Sequence, residues 1–119
     1  MALHYKDLIV WRKAMDLAIE VYQLTKDFPD CERYGLTDQL RRAAVSVPSN
    51  IAEGQGRRLR KQFALFLRTA RGSIQELETQ IMIAERLGYA HADNTAPALL
   101  HAEEVSRLLS GLLRSLKEK

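Results

Sequence analysis

The apolar pattern predicts an all-α protein: an antiparallel up-down four-helix bundle with a Pro-kinked second helix. Three observations predict it. Apolar side chains recur every three or four positions through most of the 119 residues. No segment carries a strand signal. The six glycines and three prolines cluster at a few points, which leaves long stretches free to be helical.

The first helix is expected from Asp7 or Leu8 to about Lys26. Leu8, Trp11, Met15, Ala18 and Tyr22 form one apolar stripe, and Val10, Ala14, Leu17, Val21 and Leu24 form a second beside it. Two stripes exceed the ~100° arc that a bundle core requires, so the excess points to a subunit interface. Phe28-Pro29 stops the helix, and Pro29 to Leu36 reads as a loop. Thr37 is a suitable N-cap for the second helix. Leu40, Ala43 or Ala44, Val47 and Ile51 mark its apolar side. Pro48 falls within that pattern and predicts a kink, with the helix continuing to about Glu53. Gly54-Gln55-Gly56 is expected to end it.

The third helix is expected over about Leu59 to Leu87. Phe63, Leu67, Ala70, Ile74, Leu77, Ile81 and Ala84 keep the narrow spacing of a packed seam. The fourth opens near Asp93-Asn94-Thr95-Ala96-Pro97, with Pro97 suited to a first turn. Ala98, Ala102, Val105, Leu109, Leu112 and Leu116 are its seam.

A chain of this length is expected to be one domain, residues 1–119. Its 46% apolar and 28% charged content suits one core in a soluble protein. No run approaches ~18 uncharged apolar residues, so neither a transmembrane helix nor a membrane partner is expected. Met1-Ala2-Leu3-His4-Tyr5-Lys6-Asp7 lacks the layout of a signal peptide. The single cysteine, Cys31, excludes an internal disulfide and fits a reducing, cytoplasmic setting.

Catalytic chemistry finds little support. His4, His91 and His101 share no helical spacing with a nucleophile or acid in a triad-like arrangement. There is no His-Glu-x-x-His, no cysteine pair and no paired Glu-x-x-His. Gly54-Gln55-Gly56 starts like a dinucleotide fingerprint, but Leu59 replaces the third glycine and no strand precedes it. The expectation is a protein without enzymatic activity, metal or cofactor.

Two polar features remain. Gln39, Arg42, Ser46, Ser49 or Asn50, and Glu53 lie on one flank of the second helix. Ser73, Glu76 and Gln80 lie on one flank of the third. A hairpin of the two helices brings Arg42 level with Glu76. The expected result is a structural polar network of Arg42, Ser46, Asn50 and Glu76, with Arg42 partly buried; a ligand pocket is the alternative.

The second feature is charge. Residues 41–71 carry eight Arg and Lys against one acid, whereas the segments on either side each carry a net charge of −2. Seven of the eight cations are arginine, the better partner for planar oxyanions. Arg57, Arg58, Arg60, Lys61 and Arg68 are therefore candidate phosphate contacts for RNA or DNA. The same residues equally suit a surface that meets an acidic helix of a neighbouring subunit.

Leu40-Arg41-Arg42-Ala43-Ala44-Val45-Ser46-Val47-Pro48-Ser49-Asn50-Ile51-Ala52-Glu53-Gly54 resembles the signature of the four-helix bundle proteins of 23S rRNA intervening sequences. Phe63-x-x-Phe66-Leu67, Gly72-Ser73-x-x-Glu76-Leu77-Glu78-Thr79-Gln80 and the opening Leu8-x-Val10-Trp11 resemble further motifs of that family. Leu59 and Arg71 depart from it, where a capping Ser and a small or apolar residue are usual. The resemblance implies a homopentameric ring and no reaction. A related bundle is accessory to the reverse transcriptase of diversity-generating retroelements, an analogy of fold and charge that makes such an enzyme a candidate partner. The expected function is nucleic-acid binding by a non-enzymatic oligomer, with a protein–protein adaptor as the alternative.

Overall fold

Helix α1 takes Ile9–Thr25, α2 Leu36–Gln55, α3 Arg60–Arg86 and α4 Ala92–Lys117. The computed structural model describes residues 4–117. Met1-Ala2-Leu3, from the stretch read for a leader, and the last two residues of the expected 1–119 domain lie outside the described residues. Short 3-10 turns at Tyr5–Asp7 and Asp30–Glu32 precede α1 and α2. Among the described residues there is no strand.

Sequence neighbours are spatial neighbours, and α4 packs back on α1 to close the ring. Cross-helix pairs run in opposite senses. Ser46 meets Ser73 and Gly54 meets Phe66; Glu85 meets Thr95 and Arg71 meets Ser110. The result is a rod 46 Å long. Leu17, Val21, Leu40, Val47, Ile51, Leu67, Ile74, Leu77, Val105 and Leu109 are fully buried along its axis. The expected α3 seam is buried from Leu67 to Ala84, while Phe63 packs partly buried against it. On α1 the Val10, Ala14, Leu17, Val21 stripe enters the core. The other stripe divides, with Ala18 buried and Met15 and Tyr22 exposed.

α2 passes the buried Pro48 without interruption and reaches Gln55. Pro48 offers no amide to the preceding turn, so tertiary packing must hold the helix together there. Gly54 shows how tight that packing is. A Cβ at this position would stand 2.6 Å from Phe66 Cβ and 3.1 Å from Phe63 Cδ1. Gly54 is thus a point of close α2–α3 approach. Gly56 follows with an ordinary right-handed φ of −72°. The left-handed residue of the turn is Arg58, at φ 68°, where a side chain costs about 1–2 kcal/mol. α2 ends within Gly54-Gln55-Gly56 as expected, with Gly56 as its C-cap, although the left-handed residue is not a glycine.

Two other expectations are corrected. Thr37 does not cap α2; it is buried inside the first turn. Glu32 takes the role, its Oε1 accepting the Leu36 N–H at 3.0 Å. Its Oε2 accepts the Tyr89 hydroxyl at 2.8 Å, so one carboxylate joins the α1–α2 loop to the α3–α4 turn. The Tyr89 ring rests on Phe28 at 5.6 Å. The Leu36 amide first, then the Tyr89 hydroxyl, hold the Glu32 carboxyl below its ordinary value, and the Glu32 bond raises the Tyr89 hydroxyl. Pro97 lies inside α4, because that helix already begins at Ala92.

Two outcomes test this packing. Gly54→Ala should lower unfolding stability by about 1–3 kcal/mol in chemical denaturation, since both phenylalanines must shift. Gly56→Ala, whose Cβ would meet nothing nearer than 3.6 Å, should be neutral or stabilise by about 0.4–1 kcal/mol. Equal effects of the two would contradict the close approach.

Glu32 also predicts a pH dependence. Its contribution is fully present above its ordinary pKa of 4.5 and is lost as pH falls through the lowered folded-state value. The Tm difference between wild type and Tyr89→Phe should be widest near neutral pH and should close on acidification. A constant difference would mean that the bond to ionised Glu32 adds nothing.

Candidate functional site

The antiparallel packing of α3 on α4 brings the start of one helix beside the end of the other. A groove of about 870 Å³ runs between them. Arg60, Lys61, Arg68 and Arg71 line it from α3, and Arg114 and Lys117 from α4. On α3, Arg60, Ala64, Arg68 and Arg71 recur in steps of four, four and three, which places them on one face. Arg71 Nη1 donates to Ser110 Oγ at 3.4 Å and sets the register of the two rims. Ala64, Leu65, Leu113 and Leu116 give the groove an aliphatic floor.

Among the described residues none of these six cations has a carboxylate partner, whereas four of the eleven other described cations do. Lys13 pairs with Glu104, Arg42 with Asp38, Arg57 with Glu53 and Arg107 with Glu103. The groove is also built against helix stability. The first turn of α3 has no side-chain cap and no acid, yet it carries Arg60 and Lys61 at the positive pole of the helix. Arg68 and Arg71 form a like-charge pair three residues apart, costing about 0.2–0.5 kcal/mol. An anion in the groove would relieve each of these terms. Near Ser110 the surface becomes mixed in sign, since Glu78 and Glu103 line the next depression with Arg107 and Arg114. Burial first, then the Glu103 charge, raise the Glu78 carboxyl above its ordinary range.

The structure divides the residues expected from sequence. Arg60, Lys61 and Arg68 line the groove. Arg57 does not: it turns toward α2, pairs with Glu53 at 2.8 Å and lies over the Phe66 ring at 5.1 Å. Arg58 is exposed in the connecting turn, outside the groove lining. Arg114 and Lys117 were missed because more than forty residues separate them from Arg71. Their signal was a pair of cations three residues apart near the end of an amphipathic helix.

The polar network is half as expected. Ser46 and Ser73 share a hydroxyl hydrogen bond of 2.8 Å between α2 and α3. Asn50 Nδ2 donates to the Ser46 carbonyl at 2.8 Å and to its hydroxyl at 2.9 Å. Arg42 and Glu76 take no part in it. The Arg42 side chain is 76% exposed and pairs with Asp38 at 3.4 Å, one turn back on its own helix. Helix geometry explains the correction. Each four-residue step turns a row by about 40°, so Asn50 and Ser46 face α3 while Arg42 has rotated out to solvent. Arg42 and Glu76 only line the same shallow groove of about 250 Å³. The buried Gln80, not expected in the core, leaves its Oε1 without a hydrogen-bond partner among the described residues.

A second surface is apolar. Trp11, Met15, Ile19 and Tyr22 of α1 face Val45 and Pro48 of α2 across a groove of about 470 Å³. Ile19 is 57% exposed and Ile9, nearby on α1, 62%. No helix among the described residues is long and apolar enough to cross a membrane.

Comparison with known proteins agrees with this architecture. A crystal structure of a protein of unknown function from the S23 ribosomal protein family of Bacteroides thetaiotaomicron superposes with a TM-score of 0.80. It is 19% identical, and the match covers 88% of this chain and 98% of that one. At that identity the likeness speaks for the fold alone. No curated protein matches the chain. The family model described as 23S rRNA-intervening sequence protein matches residues 6–111, from the 3-10 turn before α1 to well within α4. The chain therefore belongs to the 23S rRNA-intervening sequence protein family.

Proposed function

We propose that this protein is a non-enzymatic, cytoplasmic nucleic-acid-binding protein, and that the α3–α4 groove is where it holds phosphates. The observation that carries the reading is the set of six cations around one groove, none with a carboxylate partner among the described residues. Cations without a carboxylate partner among the described residues, those on α3 held at a cost to helix stability, retain capacity for an external polyanion. Four of the six are arginines, which engage phosphate oxygens two at a time. The exposed lone Cys31 fits a reducing compartment.

The reading includes a homopentamer. An apolar face on α1 and α2, with Ile19 more than half exposed, favours burial against another copy. The number five comes from the family resemblance. Five grooves on one assembly would multiply a weak individual affinity. The same apolar face favours the second reading, a protein–protein adaptor that binds no nucleic acid.

Nucleic-acid affinity should depend weakly on sequence and fall steeply with salt. With all six cations engaged, the log–log salt slope should be about −4 to −5. Replacing Arg60, Arg68 and Arg114 together with Gln should abolish binding at ~50 mM salt, whereas Arg57→Gln should leave it close to wild type. If the wild type shifts neither RNA nor DNA under those conditions, the adaptor reading takes over.

Light scattering should give a mass of about five times the 13.6 kDa chain. Ile19→Glu should dissociate the assembly and leave the far-UV helical signal unchanged, because Ile19 lies outside the core. A wild-type monomer at micromolar concentration would rule out the assembly.

A further inference from the structure

We infer that the α3–α4 groove takes single-stranded nucleic acid, with phosphates at its two rims and bases laid on its aliphatic floor. This rests on the nucleic-acid reading above and names the form of strand that the groove accepts.

The floor is the first reason. Leu65 stands 56% exposed among the cations, beside Leu113 and Leu116. A duplex keeps its bases stacked inside and presents sugar and phosphate. Pressed onto leucine, its charged oxygens would lose water and gain no donor there. An unpaired strand can turn its bases outward and bury their faces on the same side chains. The floor holds no aromatic ring, so stacking is weak and little base preference is expected.

The second reason is length. From Arg60 to Arg71 the basic rim runs about 16 Å, at 1.5 Å per helical residue. Beyond Ser110 the depression between the same two helices is lined by Glu78 and Glu103 together with Arg114 and Arg107, the latter paired with Glu103. A stiff duplex lying along the helices would carry its phosphates onto those carboxylates. A flexible strand can leave the groove before reaching them.

The test measures fluorescence anisotropy of the full-length protein at ~50 mM salt. The probes are labelled oligothymidylate, oligouridylate, and DNA and RNA duplexes of the same length. A single strand should bind at least about tenfold more tightly than its duplex. Leu65→Ser should weaken single-strand binding about fivefold while leaving the salt slope unchanged, since it removes apolar contact and no cation. Leu100→Ser, equally exposed on α4 but outside the groove, should change neither quantity.

Equal or tighter duplex binding would overturn the inference and leave the phosphate-binding reading standing. So would single-strand affinity unmoved by Leu65→Ser. Failure of every probe to bind would overturn both.

Discussion

The whole arrangement depends on how closely α2 and α3 approach at Gly54. With no side chain there, the Phe66 Cβ can approach to 2.6 Å from where a Cβ of residue 54 would stand. That contact fixes the distance between the two helices at the end where α3 begins. The Ser46–Ser73 bond, with Asn50 behind it, fixes their rotation two turns away. Between these two points lies Pro48, where α2 lacks a backbone donor. The helix is clamped on both sides of its weakest position. Arg60, Lys61 and Arg68 follow directly from the clamped end, so the basic rim inherits its placement from a glycine that carries no charge.

Charge on this protein is of two kinds. One kind is internally balanced, as in Lys13–Glu104 between α1 and α4, or Arg57–Glu53 within a helix and its turn. Such exposed pairs contribute little to stability, typically about 0–1 kcal/mol. The other kind, along the α3–α4 groove, has no carboxylate partner among the described residues, and on α3 it sits where the helix dipole and neighbouring charges disfavour it. Net charge alone would not reveal the division, since +3 is a modest total for the chain.

Much of the fold was legible in the sequence because one physical rule, helical periodicity, governs it. The α3 seam was readable residue by residue, since a buried helix face must repeat every three or four positions. Helix ends were less legible. Glu32 caps α2 from four residues before Leu36, and its second bond goes to Tyr89, which no local pattern announces. Gly54 reads as a stop signal in sequence, because its real constraint is a phenylalanine on another helix. The site was legible in part. Arg57 and Arg42 stood four residues from acids, a spacing that foretold their ion pairs and argued against outside roles. Arg114 and Lys117 joined the groove only through antiparallel packing, a tertiary fact.

The carboxylate of Glu32 has one more consequence. It fastens the two connections at one end of the rod to each other, through Leu36 and Tyr89. The opposite end holds the left-handed Arg58 and an α3 terminus with no side-chain cap. The rod therefore has a latched end and an unlatched end. At the unlatched one the α2–α3 contact at Gly54 remains, but no side chain caps the start of α3. That is also the basic end, so a bound polyanion would act as the missing latch and slow amide exchange there first.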